Sequence, residues 1–192
     1  MGPFGLKLIT APAVEPVTLA EAKARLAVTV SDADGDIGSL IAEARALAEA
    51  ECGGGRAFVT QTWSLYLDKF PAGREILIPR PPLQSVTWVK YYDADGVQQT
   101  FASTNYFVAI GQEPGRLVLK SSASWPALEA DRPEAVEVRF VCGFGLAAAV
   151  PPAAKAAVLL ILADRFENPA GAVDIPPAAR RLLNTLEPGQ VW

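Results

Sequence analysis

The apolar positions of this chain follow two different periods, and the period changes twice. Ile37, Leu40, Ile41, Ala44, Leu47 and Ala48 fall at offsets 0, 3, 4, 7, 10 and 11, which is one face of a helix. Ser31, Asp32, Asp34 and Asp36 lie at its start, where the helix dipole favours negative charge. Gly53 follows its end, where a left-handed residue can close a helix. Upstream, PVTLAEAKARL places Thr18 and Glu21 three residues apart, the spacing of a capping box, and predicts a helix of about two turns.

From residue 58 to 144 only strands and turns are predicted. In TQTWSLYL, Trp63, Leu65 and Leu67 alternate with Thr62, Ser64 and Tyr66, the two faces of a strand. EILI is a short second strand. SVTWVKYY and VQQTF flank Asp95-Gly96, a two-residue hairpin signal. YFVAI, GQEPG and RLVLK predict another hairpin, and AVEVRFVCGF a last strand. Helical signals then return. PPAAKAAVLLILADRFENP opens with Pro152 near the first helical position and stops before Pro169. PPAARRLLNTLEP repeats the device, with Ala179, Leu182, Leu183 and Leu186 on one face.

The expected fold class is therefore α+β: a small α-helical bundle of amino- and carboxy-terminal helices with a central β-rich insertion. The helices are too short to fold as separate units. The expected divisions are an amino-terminal arm and core helices over 1–57, the β-rich insertion over 58–145, and carboxy-terminal core helices with a partner-binding tail over 146–192. The length of 192 residues allows one domain with an inserted subdomain.

Composition narrows the function. Histidine is absent, which removes Ser-His and Cys-His catalysis and every imidazole zinc site. Cys52 and Cys142 are 90 residues apart, form no Cys-x-x-Cys pair, and read as buried free thiols. The net charge is −4 and the densest basic cluster is Arg180-Arg181, so general nucleic-acid binding is disfavoured. The longest apolar run, AAVLLILA, lies between Lys155 and Asp164, far short of the ~18 residues that span a bilayer. The amino-terminal apolar run is too short for a signal peptide. The expected location is the cytosol or a particle assembled there.

Several motifs resemble sites and fail on detail. Asp93-Ala94-Asp95-Gly96 opens like a calcium loop, but Val97 and Thr104 occupy positions 5 and 12. Asp32, Asp34, Asp36 and Glu43 match positions 1, 3, 5 and 12, yet Ile37 stands where the loop needs glycine; a helix start is the better reading. Gly53-Gly54-Gly55 lacks the Gly-Lys-Ser/Thr of a phosphate loop and ends a helix. Glu129 and Asp131 are carboxylates with no nucleophile or electrophile beside them. No catalytic residue, metal ligand or cofactor is expected. Pro79-Arg80-Pro81-Pro82 cannot form a central strand. It reads as a rigid link between strands, with presentation of Arg80 to a partner as a secondary role.

Two features point to protein contacts. VLLIL, 158–162, is apolar all round a helix, so it is either a central core helix or is covered in part by a neighbouring subunit. Trp192 ends the chain beyond a Pro-Gly break; it either tucks back or anchors in a partner's pocket.

The succession PVTLAEAKARL, GRAFVTQTWSLYLDKFP, IPRPPLQSVTWVKYYDADGVQQTF, EPGRLVL, VEVRFVCGFG and VPPAAKAAVLLILADRFENPAG resembles the head–tail connector (adaptor) proteins of tailed bacteriophages and phage-like gene transfer agents. The likeness covers about residues 14–186. One departure is Gly-Gly-Gly before Arg56, where a shorter Gly-Arg exit is expected. The resemblance implies a structural virion protein of the particle neck, encoded by a phage, prophage or gene transfer agent. It implies a homo-oligomeric ring of twelve copies beneath the portal protein that extends the DNA channel, with DNA passing through without sequence-specific binding. It also implies a stopper or tail-terminator protein docked on the ring, and no membrane partner. Carried onto this sequence, the ring helices are 36–51 and 152–168, with Val158, Leu159, Leu162, Phe166 and Arg80 as candidate subunit contacts. The portal-facing segment is 180–192, with Arg180, Arg181, Leu182, Leu183, Leu186, Val191 and Trp192 as candidate contacts. The competing expectation, from another class, is a small-molecule-binding or enzymatic domain with a pocket between the β insertion and the helices. Its best residues are Trp63, Tyr91, Tyr92 and Arg80.

Overall fold

The computed structural model describes residues 4–169 and 174–186. The chain forms a mixed α+β fold with two compact units, one of residues 1–11 and 60–143 and one of residues 12–59 and 144–192. No helix among the described residues is long and apolar enough to cross a membrane.

The helical unit contains α1 (Leu19–Leu26), α2 (Asp34–Glu51), α3 (Pro152–Glu167) and α4 (Pro177–Asn184). Thr18 closes the expected capping box on α1: its hydroxyl accepts from the Glu21 amide, and the Glu21 carboxylate accepts from the Thr18 amide at 2.6 Å. Two orphan donors of the first turn are thereby satisfied. Helix α2 buries Ile37, Ile41, Ala44 and Ala48, four of the six positions that periodicity selects. It closes with Gly53 at φ 55°. Gly55, at φ 104°, then turns the chain so that the Arg56 amide bonds the Glu49 carbonyl at 2.8 Å. The triple glycine is a reversal, and it brings Phe58 and Val59 into the helical core.

Both carboxy-terminal helices begin with proline as their first residue, where a missing N–H costs nothing. Helix α3 is the axis of the unit. Ala154, Ala157, Val158, Ile161 and Leu162 are buried in a core shared with α1, α2 and α4. Cys52 is buried in this core and Cys142 in the β unit, neither in a disulfide.

The β unit is built from two antiparallel sheets. The strands are β1 (Phe4–Thr10), β2 (Gln61–Leu67), β3 (Glu75–Ile78), β4 (Leu83–Tyr92), β5 (Gln98–Phe101), β6 (Tyr106–Ala109), β7 (Gly115–Leu119) and β8 (Val136–Cys142). The larger sheet has the order β1-β2-β8-β4-β5 and the smaller β3-β7-β6. One buried row of the larger sheet runs Leu65, Val138, Val89, Phe101 across four strands. Ile76, Ile78, Leu117 and Leu119 form the buried face of the smaller. The sheets approach closely where a Cβ on Gly115 would lie 2.5 Å from that of Leu83.

Two details differ from the sequence expectations. Residues 4–10 form an edge strand on β2; the segment has no turn signals of its own and pairs with residues more than fifty positions away. The β4–β5 connection is not a two-residue turn. Asp93 and Val97 close a loop through Gly96 at φ 76°, with the Asp93 amide bonding the Val97 carbonyl at 3.0 Å. This is a three-residue hairpin with a glycine bulge.

Candidate interaction surfaces

The metal-like motifs resolve into local structure. The Asp93 carboxylate accepts from the amides of Asp95 and Val97 and from the Gln99 side chain at 2.8 Å. These bonds, the Gln99 one first, hold its carboxyl below the ordinary carboxylate value. Asp34 pairs with Lys23 at 2.5 Å, tying α2 to α1. No group of three or more metal-ligating side chains forms among the described residues. Glu129 pairs with Arg132 at 2.7 Å.

The residues of the competing pocket expectation are each engaged within the β unit. Pro79-Arg80-Pro81-Pro82 links β3 to β4, with Arg80 at φ 62° and its guanidinium 4.4 Å from the Trp63 ring. Tyr91 belongs to an aromatic cluster with Phe70 and Phe101. Tyr92 lies on the opposite face, under the Arg132 guanidinium. A shallow cleft of about 160 Å³ is lined by Tyr66, Lys90, Tyr92, Arg132 and Glu137, among others. It is smaller than the ~300–1,000 Å³ typical of ligand pockets.

Sequence reasoning missed the outer face of the larger sheet. Trp88 there lies beneath two cations, Lys90 at 4.6 Å and Arg139 at 4.5 Å. Glu137 is the hub beside it, accepting from Ser64 at 2.6 Å, Arg139 at 3.1 Å and Tyr66 at 3.3 Å. Burial first, and then the Glu137 charge, push the Tyr66 phenol above its ordinary value. The alternation of SVTWVKYY does place Trp88 and Lys90 on one face, but only the register with β8 adds Arg139 and Glu137.

In the helical unit the structure divides the candidate contacts. Val158, Leu162 and Leu183 have no solvent exposure. They are core residues, and they leave the set of candidate surface contacts because the facing helices already cover them. Leu159 is half-buried and Phe166 is 38% exposed. With Ala156, Leu160 and Ala163 they form a half-covered apolar stripe along α3. Leu182 on α4 and Leu186 just beyond its end pack partly on the core, and Arg181 is exposed. Arg180 bridges Glu51 at 2.6 Å and Asp174 at 3.2 Å. Val191 and Trp192 lie outside the described residues.

Charge is divided unequally. The β unit has nine Lys and Arg against nine Asp and Glu, and the helical unit eight against twelve. The helical unit therefore carries the whole net charge.

No family model matches the chain, and no curated protein matches it. Solved structures do. A chain from the neck of an empty GTA particle, computed with C6 symmetry, superimposes with a TM-score of 0.77 at 23% identity, covering 97% of this chain and 98% of that one. A chain from the virion of a native gene transfer agent (GTA) particle gives a TM-score of 0.74 at 24% identity, covering 93% and 92%. A third, from the neck of a native GTA particle computed with C12 symmetry, gives 0.69 at 20% identity, covering 97% and 98%. The likeness spans both units and establishes a shared fold.

Proposed function

We propose that this chain is a structural subunit of the neck of a phage-like particle, a head–tail connector of the adaptor type. It assembles as a ring on the portal protein, continues the DNA channel and carries the stopper or tail-terminator. The observation that carries this reading is the end-to-end likeness to a neck chain, 97% of one chain on 98% of the other. A fold alone does not fix function, so the surfaces have to agree with it.

Three features support the reading. The α3 stripe through Leu159 and Phe166 is apolar and incompletely covered within the chain, which suits a contact between subunits. The helical unit carries the net negative charge, and a conduit through which DNA slides must not hold phosphates. The polar side chains that looked like site components are used for caps, turns and ring stacking. On this reading the protein acts through protein contacts in the particle neck, and segment 180–192 faces the portal.

Electron microscopy of the purified chain mixed with its portal is the test. A ring of this chain seated on the portal is expected. Absence of association overturns the reading, as does a particle that is complete without this protein.

A further inference from the structure

Ten large apolar side chains are exposed among the described residues, and four of them sit on or beside the three-stranded sheet: Leu77, Phe107, Val108 and Ile110. Phe107 is 60% exposed. The register places Glu75, Val118 and Phe107 in one cross-strand row and Leu77, Arg116 and Ala109 in the next. Residues two apart share a face, so both rows are on the outer face. Arg116 reaches both oxygens of Glu75 at 3.1 Å, and the Lys120 ammonium lies 4.8 Å from the Phe107 ring, so the face carries one further cation beside its apolar side chains.

The edges of this sheet differ from those of the larger one. Strand β1 carries Lys7 and a register shift after Leu8, and β5 reads Gln98, Gln99, Thr100. These are devices that discourage further strand pairing. The edges of the small sheet are β3 and β6. Strand β6 reads Tyr-Phe-Val-Ala with no charge or proline, and the one charge on β3, Glu75, is held by Arg116.

We infer that neighbouring copies of this chain join through these edges, β6 of one copy beside β3 of the next. The inference rests on the ring reading above and names one of its surfaces. Strands β3 and β6 are both antiparallel to β7, so they run parallel to each other at opposite edges. A rotation repeated about an axis along the strands brings β6 beside the next β3 at every step, a head-to-tail contact that can close into a ring. Pairing of β6 with itself stops at two copies. The patch of a few exposed side chains on four-residue strands is well below the ~800 Å² per partner of a stable pair. The contact is therefore weak between two free copies and gains strength when the ring closes and each further contact becomes intramolecular.

The test is disulfide trapping in the full-length chain, with Phe107→Cys combined with either Glu75→Cys or Leu77→Cys to sample two registers. Within one chain these positions lie across β7, at least about 9.6 Å apart, beyond the ~7 Å Cα separation that a disulfide tolerates. The native Cys52 and Cys142 are buried. Oxidation is carried out on the concentrated chain and on the chain mixed with its portal. A ladder of trimers and larger species from one of the pairs, with each single variant remaining monomeric, is expected. No species above dimer from either pair overturns the inference, and so do dimers from Phe107→Cys alone. A ring on the portal without a ladder removes the sheet contact and leaves the neck reading standing. A ladder without portal association does the reverse.

Discussion

Leu159 and Leu162 are neighbours in an apolar run, yet truncating them should produce opposite phenotypes. Leu162 has no solvent exposure, so Leu162→Ala deletes buried methyl groups and leaves a cavity among the helices. The expected loss is about 2–5 kcal/mol. Leu159 is only partly covered by its own chain, so Leu159→Ala forfeits roughly half of the ~1.5–3 kcal/mol that full burial of such a side chain provides, about 1 kcal/mol. Urea unfolding followed by helical ellipticity reads both, with an unchanged dependence on urea concentration showing that the same surface is exposed on unfolding. Ring assembly on the portal, observed by microscopy, reads the second effect. Leu159→Ala should reduce assembly while the isolated chain stays folded. Equal destabilisation by the two variants would refute the division of α3 into a core face and a contact face. Normal assembly by Leu159→Ala would remove the stripe from the interface.

Three further outcomes follow from local geometry. Thr18→Ala should cost the helical unit ~1 kcal/mol through loss of the cap. Bonds from the Thr18 amide and hydroxyl hold Glu21 below its ordinary 4.5, so its contribution is present above that pH and is lost as pH falls through the depressed value; unfolding measured against pH should show a shallower acid loss in the variant. Arg80 combines a left-handed backbone that costs a non-glycine residue ~1–2 kcal/mol with a stack on Trp63 worth ~0.5–2 kcal/mol. Arg80→Gly should therefore be near neutral, and Arg80→Ala, which keeps the strain and loses the stack, should be the less stable of the two by urea titration. Gly115→Ala would place a Cβ 2.5 Å from that of Leu83, and should destabilise the β unit by ~1–3 kcal/mol; an unchanged urea midpoint would show that the two sheets are not held at that separation.

The elements legible in the sequence are those specified by a few adjacent residues. Thr18 and Glu21 define the start of α1 by themselves, Gly53 ends α2, and Pro152 and Pro177 open α3 and α4. Alternation along β2 and β8 identifies them as strands, but not that they are partners. That pairing joins Leu65 to Val138 across more than seventy residues, and no local pattern encodes it. The same limit hid β1, and it hid the second cation at Trp88, Arg139, which comes from β8.

The run from Val158 to Leu162 shows a different limit. Periodicity reveals a buried face only when polar residues mark the other one, and here none do. Val158 and Leu159 are equivalent in sequence, and only the placement of α2 and α4 separates the one with no exposure from the one half covered. Uniform apolarity costs solubility on any face left open, so it persists where something covers that face. In this chain the open part of α3 and the unblunted edges of the small sheet are surfaces of the same kind. Both leave apolar side chains open on the isolated chain, and on the proposed reading these are the faces that a neighbouring subunit covers as the ring closes.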